Sequence, residues 1–216
     1  FTNHAGIADF KGHNYFFYHA GKLPGGGGFG RSVAVEEFKY NDDGTFPTIM
    51  PTEEGVKPVD TFNPYRKTEA ETMAFSKGVK TEQNDEIGVY VTDIHNGDYI
   101  KLQAVDFGRM FPRTFTARVA SGLRGGNIEV RIDSVGGQLL TTLSVPATGG
   151  WEKWQTLVAD FKAKVVGVHD LYFTFKGRKG PKLMNFDWWE IRGVEQCNMP
   201  MTQTKFTADP SPLLVG

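Results

Sequence analysis

The sequence predicts an all-β protein built around an antiparallel β-sandwich. Three observations carry that prediction. Between Thr68 and Arg192, glycine- and asparagine-rich turn signals recur about every 8–12 residues. The runs between them alternate apolar and polar residues, the period of a strand with one buried face. No stretch sustains a helical period over about three turns. A region of about 125 residues with this pattern is the length of a two-sheet sandwich.

The elements follow in order. Asn14 to His19 (NYFFYH) is an aromatic strand bounded by Gly12 and Gly21. Ser32 to Tyr40 is a second strand, ending at the turn Asn41-Asp42-Asp43-Gly44. Strands 1–50 are too few to bury both faces alone and need partners outside themselves. Residues 51–67 carry Pro51, Pro58 and Pro64 and read as a linker or surface strap. Within 68–192, alternation marks 97–102, 115–119 and 128–132, the last placing Ile128, Val130 and Ile132 on one face. Leu139 to Val145 follows the Gly136-Gly137 hairpin signal. Leu171, Phe173 and Phe175 share one face, and Asn185 to Ile191 (NFDWWEI) closes the set. Residues 193–205 form a polar connector, and 206–216 make a turn followed by the start of a strand.

Composition removes several functions. The 24 basic and 25 acidic residues leave a net charge of −1, so the chain has no electrostatic reason to seek nucleic acid or an anionic membrane. No apolar run is long enough to span a bilayer. The single cysteine, Cys197, excludes an intrachain disulfide framework and a multi-cysteine zinc site. It has no neighbouring histidine or basic cluster that would activate it as a nucleophile. The five histidines are scattered without a ligand pair. The chain starts at Phe1 without a signal peptide, and both ends read as cut from something longer.

Gly25 to Gly30 fits the glycine pattern of a dinucleotide loop, but an apolar β-branched strand follows where that loop requires a helix. It is read as a flexible loop. Arg124-Gly125-Gly126 is one turn.

Trp151 follows Gly149-Gly150. It reads either as a platform for the apolar face of a sugar ring or as a packing residue at a strand start. Trp154 takes the core role. The amide of Asn185 can donate to one hydroxyl and accept from the next, matching vicinal sugar hydroxyls, although alone it would serve a turn. Glu69 and Glu71 share one side of a strand. Two such carboxylates either face solvent or hold a hard cation such as calcium, with Asp187 as a third ligand; the residues alone favour solvent.

These stretches carry a resemblance. Thr68-Glu69-Ala70-Glu71, His95 to Ile100, Gly149 to Trp154 and Asn185 to Trp189 stand in the order found in family 6 carbohydrate-binding modules. The resemblance covers Thr68 to Ile191. It implies a β-sandwich of the jelly-roll type that binds xylan, arabinoxylan or β-glucan and carries a structural calcium. It further implies Glu69, Glu71 and Asp187 as calcium ligands, and Trp151 and Asn185 as the wall and polar contact of a loop-end cleft. The family's second aromatic wall aligns with Asp93, and Tyr90 is the available substitute. Glu82 matches an acidic residue of the same cleft. Tyr99 matches an aromatic of a second cleft on the concave sheet face.

Residues 1–50 resemble the last blade of a family 43 glycoside hydrolase, a five-bladed β-propeller of inverting enzymes. Asn3 to Ile7, Tyr15 to His19 and Gly28 to Val33 carry this likeness. It implies that His4 points into the central channel and Arg31 lies close to the sugar. Phe206 to Pro212 resembles the opening of the same catalytic domain, with Asp209 as its general base. The order is therefore enzyme end, binding module, enzyme beginning. Three readings follow: the middle of a tandem hydrolase, part of a split or permuted enzyme, or a module with ragged flanks. The expected function is a segment of a secreted β-xylosidase or α-L-arabinofuranosidase, whose partners are xylan or arabinoxylan oligosaccharides and the missing parts of the parent hydrolase. The alternatives are a direct catalytic contribution through Asp209, His4 and Arg31, or a structural spacer.

Overall fold

A strand with one buried face must find a second layer for its apolar side chains. The computed structural model, which describes residues 4–22, 26–52 and 55–194, shows how that is met. The chain divides into two units, Phe1–Asp60 and Thr61–Gly216. Every regular element among the described residues is a strand, and the sheets are antiparallel. No helix of the described residues is long and apolar enough to cross a membrane.

The first unit is a three-stranded sheet of β1 (Gly6–Phe10), β2 (His13–Ala20) and β3 (Ser32–Phe38). The glycine loop closes with Gly27 N–H donating to the Gly30 carbonyl at 2.8 Å, and β3 follows it, so no helix terminus is there to hold a phosphate. Tyr15 and Phe38 are buried, but Ile7, Phe10, Phe17 and Val33 remain exposed. One carboxylate is sealed inside. Glu36 accepts from Thr52 N–H and Thr52 Oγ1, both at 2.7 Å, and from Tyr18 Oη at 3.1 Å. Burial pushes its carboxyl up, yet these bonds outweigh burial and hold it below the usual range.

The second unit is a two-sheet sandwich. One sheet has the order β11 (Leu139–Val145), β10 (Gly126–Ile132), β13 (Val168–Lys176), β8 (Tyr99–Asp106), β5 (Phe75–Lys77). The other runs β12 (Gly150–Asp160), β9 (Phe111–Ser121), β14 (Met184–Val194), β7 (Gly88–Ile94), β6 (Lys80–Asn84), with β4 (Thr68–Glu69) added to β14. The alternation read from the sequence has the expected result. Ile128, Val130 and Ile132 are buried, as are Leu171, Phe173 and Phe175. The hairpin at Gly136-Gly137 joins β10 to β11, and Gly125 adopts φ +73 where a side chain would strike the Val145 carbonyl.

An aromatic cluster joins the sheets. Phe173 of β13 lies 5.5 Å from Phe115 of β9, 5.8 Å from Phe186 and 5.0 Å from Trp189, both on β14. The 51–67 strap does not act as one piece. From Thr61 onward it belongs to the second unit, where Phe62 packs on Trp189 and Tyr65 Oη lies 3.1 Å from the Phe107 carbonyl.

Replacing Phe173 by Ala opens a cavity at the centre of this cluster. The cost should be about 3–5 kcal/mol, read as a lower urea midpoint for the second unit, against a change near zero for the exposed Val158→Ala.

Candidate carbohydrate-binding site

β9 ends at Ser121, and β12 begins opposite it at Gly150. The connecting loops are tied together there. Thr148 Oγ1 accepts from Ser121 N–H at 2.8 Å, and Ser121 Oγ donates to the Leu183 carbonyl at 2.6 Å. The β12 register shifts between Gly150 and Gln155, so the segment carrying Trp151 and Trp154 leaves the regular ladder. A cavity of about 640 Å³ opens at this end of the sandwich. Trp151, Asn185, Tyr90 and Glu82 line it together, joined by Lys182 and Glu152.

Trp151 is half-buried and backed by Gly122. A Cβ at position 122 would lie 2.8 Å from both Cε2 and Nε1 of the indole, so the ring rests on bare backbone. Asn185 is 1% exposed, and both ends of its amide are occupied within the protein. Its Nδ2 donates to the Trp151 carbonyl at 2.7 Å, and its Oδ1 accepts from Thr92 Oγ1 at 2.8 Å. The amide therefore fixes the main chain that carries the indole. Thr92 Oγ1 in turn accepts from Lys182 Nζ at 2.6 Å, and that ammonium lies 4.6 Å from the Trp151 ring centroid. Burial pushes the Lys182 ammonium below its usual range, although Glu82 and Asp93 favour the charged form.

Tyr90 is also buried, and its hydroxyl donates to Glu82 Oε2 at 3.0 Å. Burial pushes its phenol up, and Glu82 adds to the effect. Trp154 meets Tyr90 edge-on at 5.3 Å and is half-buried. It differs from the expected core role: Gln155 and Leu157 pair with the buried Val119 and Ala117, so strand alternation puts Trp154 on the opposite face, onto Tyr90 and beneath Arg118. Asp93 lies beside the cavity. Its φ is +54, and its carboxylate pairs with Lys80 at 2.8 Å, which holds it below the usual range.

Tyr99 stands elsewhere, on the outer face of β8. Its ring lies 6.3 Å from Phe75 and 5.9 Å from Tyr172. Lys101 and Asp170 pair beside it at 2.8 Å.

Glu69, Glu71 and Asp187 lie in one neighbourhood where β4 joins β14. Glu69 pairs with Trp188 in the ladder, and Ala70 N–H donates to the Asp187 carbonyl at 2.8 Å. Glu71 Oε2 is buried without a hydrogen-bond partner. Burial pushes the Glu71 carboxyl up, and the charges of Glu69 and Asp187 add to this. Asp187 is 2% exposed and also pushed up by burial, opposed by Arg118 at 3.1 Å. Among the described residues no three such groups stand in metal-holding geometry. The orphaned oxygen and the acidic donors are nonetheless the chemistry a hard cation takes.

In the first unit, His4 and Arg31 are exposed, His4 with its ring 6.3 Å from that of His19. Asp209 and Cys197 lie outside the described residues. The sequence reading missed Lys182 and Thr92. Lys182 stands near Arg178 and Lys179 in one basic loop, and nothing in its local sequence distinguishes it.

A sandwich with an indole-lined cleft at its loop end is the build of a sugar-binding module, and comparison with known proteins agrees. Residues 69–193 match the sequence profile of the carbohydrate binding module (family 6). The chain belongs to that family. It is also 38% identical over 88% of its length to an arabinoxylan arabinofuranohydrolase of Paenibacillus polymyxa, and 38% identical over 86% to one of Bacillus subtilis. It spans only 31% and 37% of those two relatives. Among solved structures, a family 43 arabinoxylan arabinofuranohydrolase of Bacillus subtilis, in complex with cellotetraose, matches 89% of this chain and 41% of its own at 37% identity, with a TM-score of 0.79. A family 6 module from Clostridium cellulolyticum, in complex with xylose, matches 61% of this chain and 99% of its own at 39% identity, with a TM-score of 0.57.

Gly122→Val tests the seat of the indole. The branched side chain must displace Trp151, so its fluorescence should shift while melting changes by only the few degrees of a local overpacking defect.

Proposed function

We propose that this chain is a segment of a secreted arabinoxylan-degrading hydrolase, and that its family 6 module holds the enzyme on xylan or arabinoxylan. The observation that carries the reading is Trp151, a half-buried indole lining an open cleft, with its main chain held by a sealed amide. An indole face attracts the C–H face of a pyranose, and the polar groups around the cleft address its hydroxyls. Tyr90 and Glu82 form a second side of the cleft. The names of the relatives support arabinoxylan as the polymer. Binding at one such cleft is weak, because sugar hydroxyls exchange water contacts for protein contacts. Its use is to raise the local concentration of polymer around a tethered catalytic domain.

The first unit is assigned to that catalytic domain. Ile7, Phe10, Phe17 and Val33 are exposed on its sheet, and the other blades of a propeller would cover such side chains. In that assignment His4 and Arg31 face the sugar channel.

The assignment also includes a calcium ion held by Glu69, Glu71 and Asp187. When bound, calcium supplies the positive charge that these carboxylates lack and pins the β4 segment to β14.

Three outcomes are expected. Trp151→Ala should abolish calorimetric binding of xylotriose; unchanged affinity would move the site to the Tyr99 face. Adding calcium to chelator-treated protein should raise the melting temperature by several degrees. Glu71→Gln should remove that rise while melting no lower than wild type in chelator. A melting temperature that ignores calcium overturns the metal assignment.

A further inference from the structure

The cleft has one aromatic platform, and Asp93 stands where the resemblance places a second. In the ligand-free protein a lysine rests over the indole. Lys182 Nζ lies 4.6 Å from the Trp151 ring centroid, within the range of a cation–π contact. It is held there by Thr92 Oγ1 at 2.6 Å, and Thr92 is anchored by the sealed amide of Asn185. One connected set of bonds therefore fixes both the indole and the ammonium.

The ammonium is incompletely satisfied. Lysine offers three donors, and Thr92 takes one. Among the described residues no carboxylate lies within 4.0 Å of it, although Glu82 and Asp93 act on it from further away. A partly buried ammonium in that state retains N–H groups for a ligand oxygen. Asn185, by contrast, is sealed and engaged at both ends of its amide.

We propose that Lys182 is the specificity-determining contact of this cleft: a neutral pyranose takes the ammonium's place on the Trp151 face, the flexible lysine stem turns its donors to the ring's hydroxyls, and Asn185 and Thr92 are positioning residues. This rests on the reading of Trp151 as the sugar platform. The neutral class follows from the lining. Glu82, Glu86 and Glu152 face the cavity against Lys153 and Lys182, a balance that repels an anionic sugar. The place of a second aromatic wall is taken by a directional donor, so affinity depends on the ring's hydroxyl pattern as well as on its apolar face.

Calorimetric titration of the whole chain with xylotriose tests this. Lys182→Met keeps the length of the side chain and removes the donors, and it should weaken binding about tenfold. Wild-type melting in the variant shows that the fold is intact; Lys182→Ala serves if methionine perturbs it. If Trp151→Ala has no effect, the platform reading itself fails. If Trp151→Ala abolishes binding while Lys182→Met binds as well as wild type or more tightly, the platform stands and the role of Lys182 is overturned. A xylo-oligosaccharide carrying a glucuronic acid should bind no more tightly than xylotriose. Tighter binding of the acidic chain overturns the neutral class.

Discussion

The sandwich depends on how β14 passes through its centre. This strand is bonded to β9, β7 and β4, and its side chains serve the core and both polar sites. Phe186 and Trp189 are three positions apart, and in a regular strand they would face opposite ways. Both are fully buried, because the register on β9 shifts between Phe186 and Trp188. The extra residue is Asp187. The irregularity changes the phase of the strand and lets both rings reach Phe173. It also leaves a buried carboxylate between them, facing Arg118.

The same strand supplies the sealed amide of the sugar cleft. A buried amide left unbonded would cost free energy, so Asn185 needs partners on both sides. Those partners are the Trp151 main chain and the Thr92 hydroxyl, which belong to β12 and β7. One requirement for polar satisfaction thus draws three strands together and fixes the indole. Asp187, with its buried carboxylate, and Asn185, with its sealed amide, are two residues apart on this strand, so one irregular stretch of β14 carries both.

The regular strands were legible in the sequence. Alternation in Ile128, Val130 and Ile132, and in Leu171, Phe173 and Phe175, correctly named the inward face, because the period of two is a local property of extended backbone. Trp151 stood out because an indole beside glycines is unusual locally, whereas Asn185, which alone reads as a turn residue, was singled out through the family resemblance. Lys182 could not be named, since it is one of several basic residues in a loop. Its position over Trp151 follows from a contact with Thr92, 90 positions away in the sequence. Trp154 was misplaced for a related reason. Its face is decided by the pairing of Gln155 and Leu157 with Val119 and Ala117 of β9, more than 30 positions away in the sequence.

The sequence by itself determined the strand class, the inward faces and the family, because these rest on local period and on motifs read in order. The tertiary structure alone decided which of those residues meet. It set the phase change at Asp187, the sealing of Asn185 and the ammonium over the indole. Each of these is a balance of burial against hydrogen bonding between strands distant in sequence, and no local pattern encodes that balance.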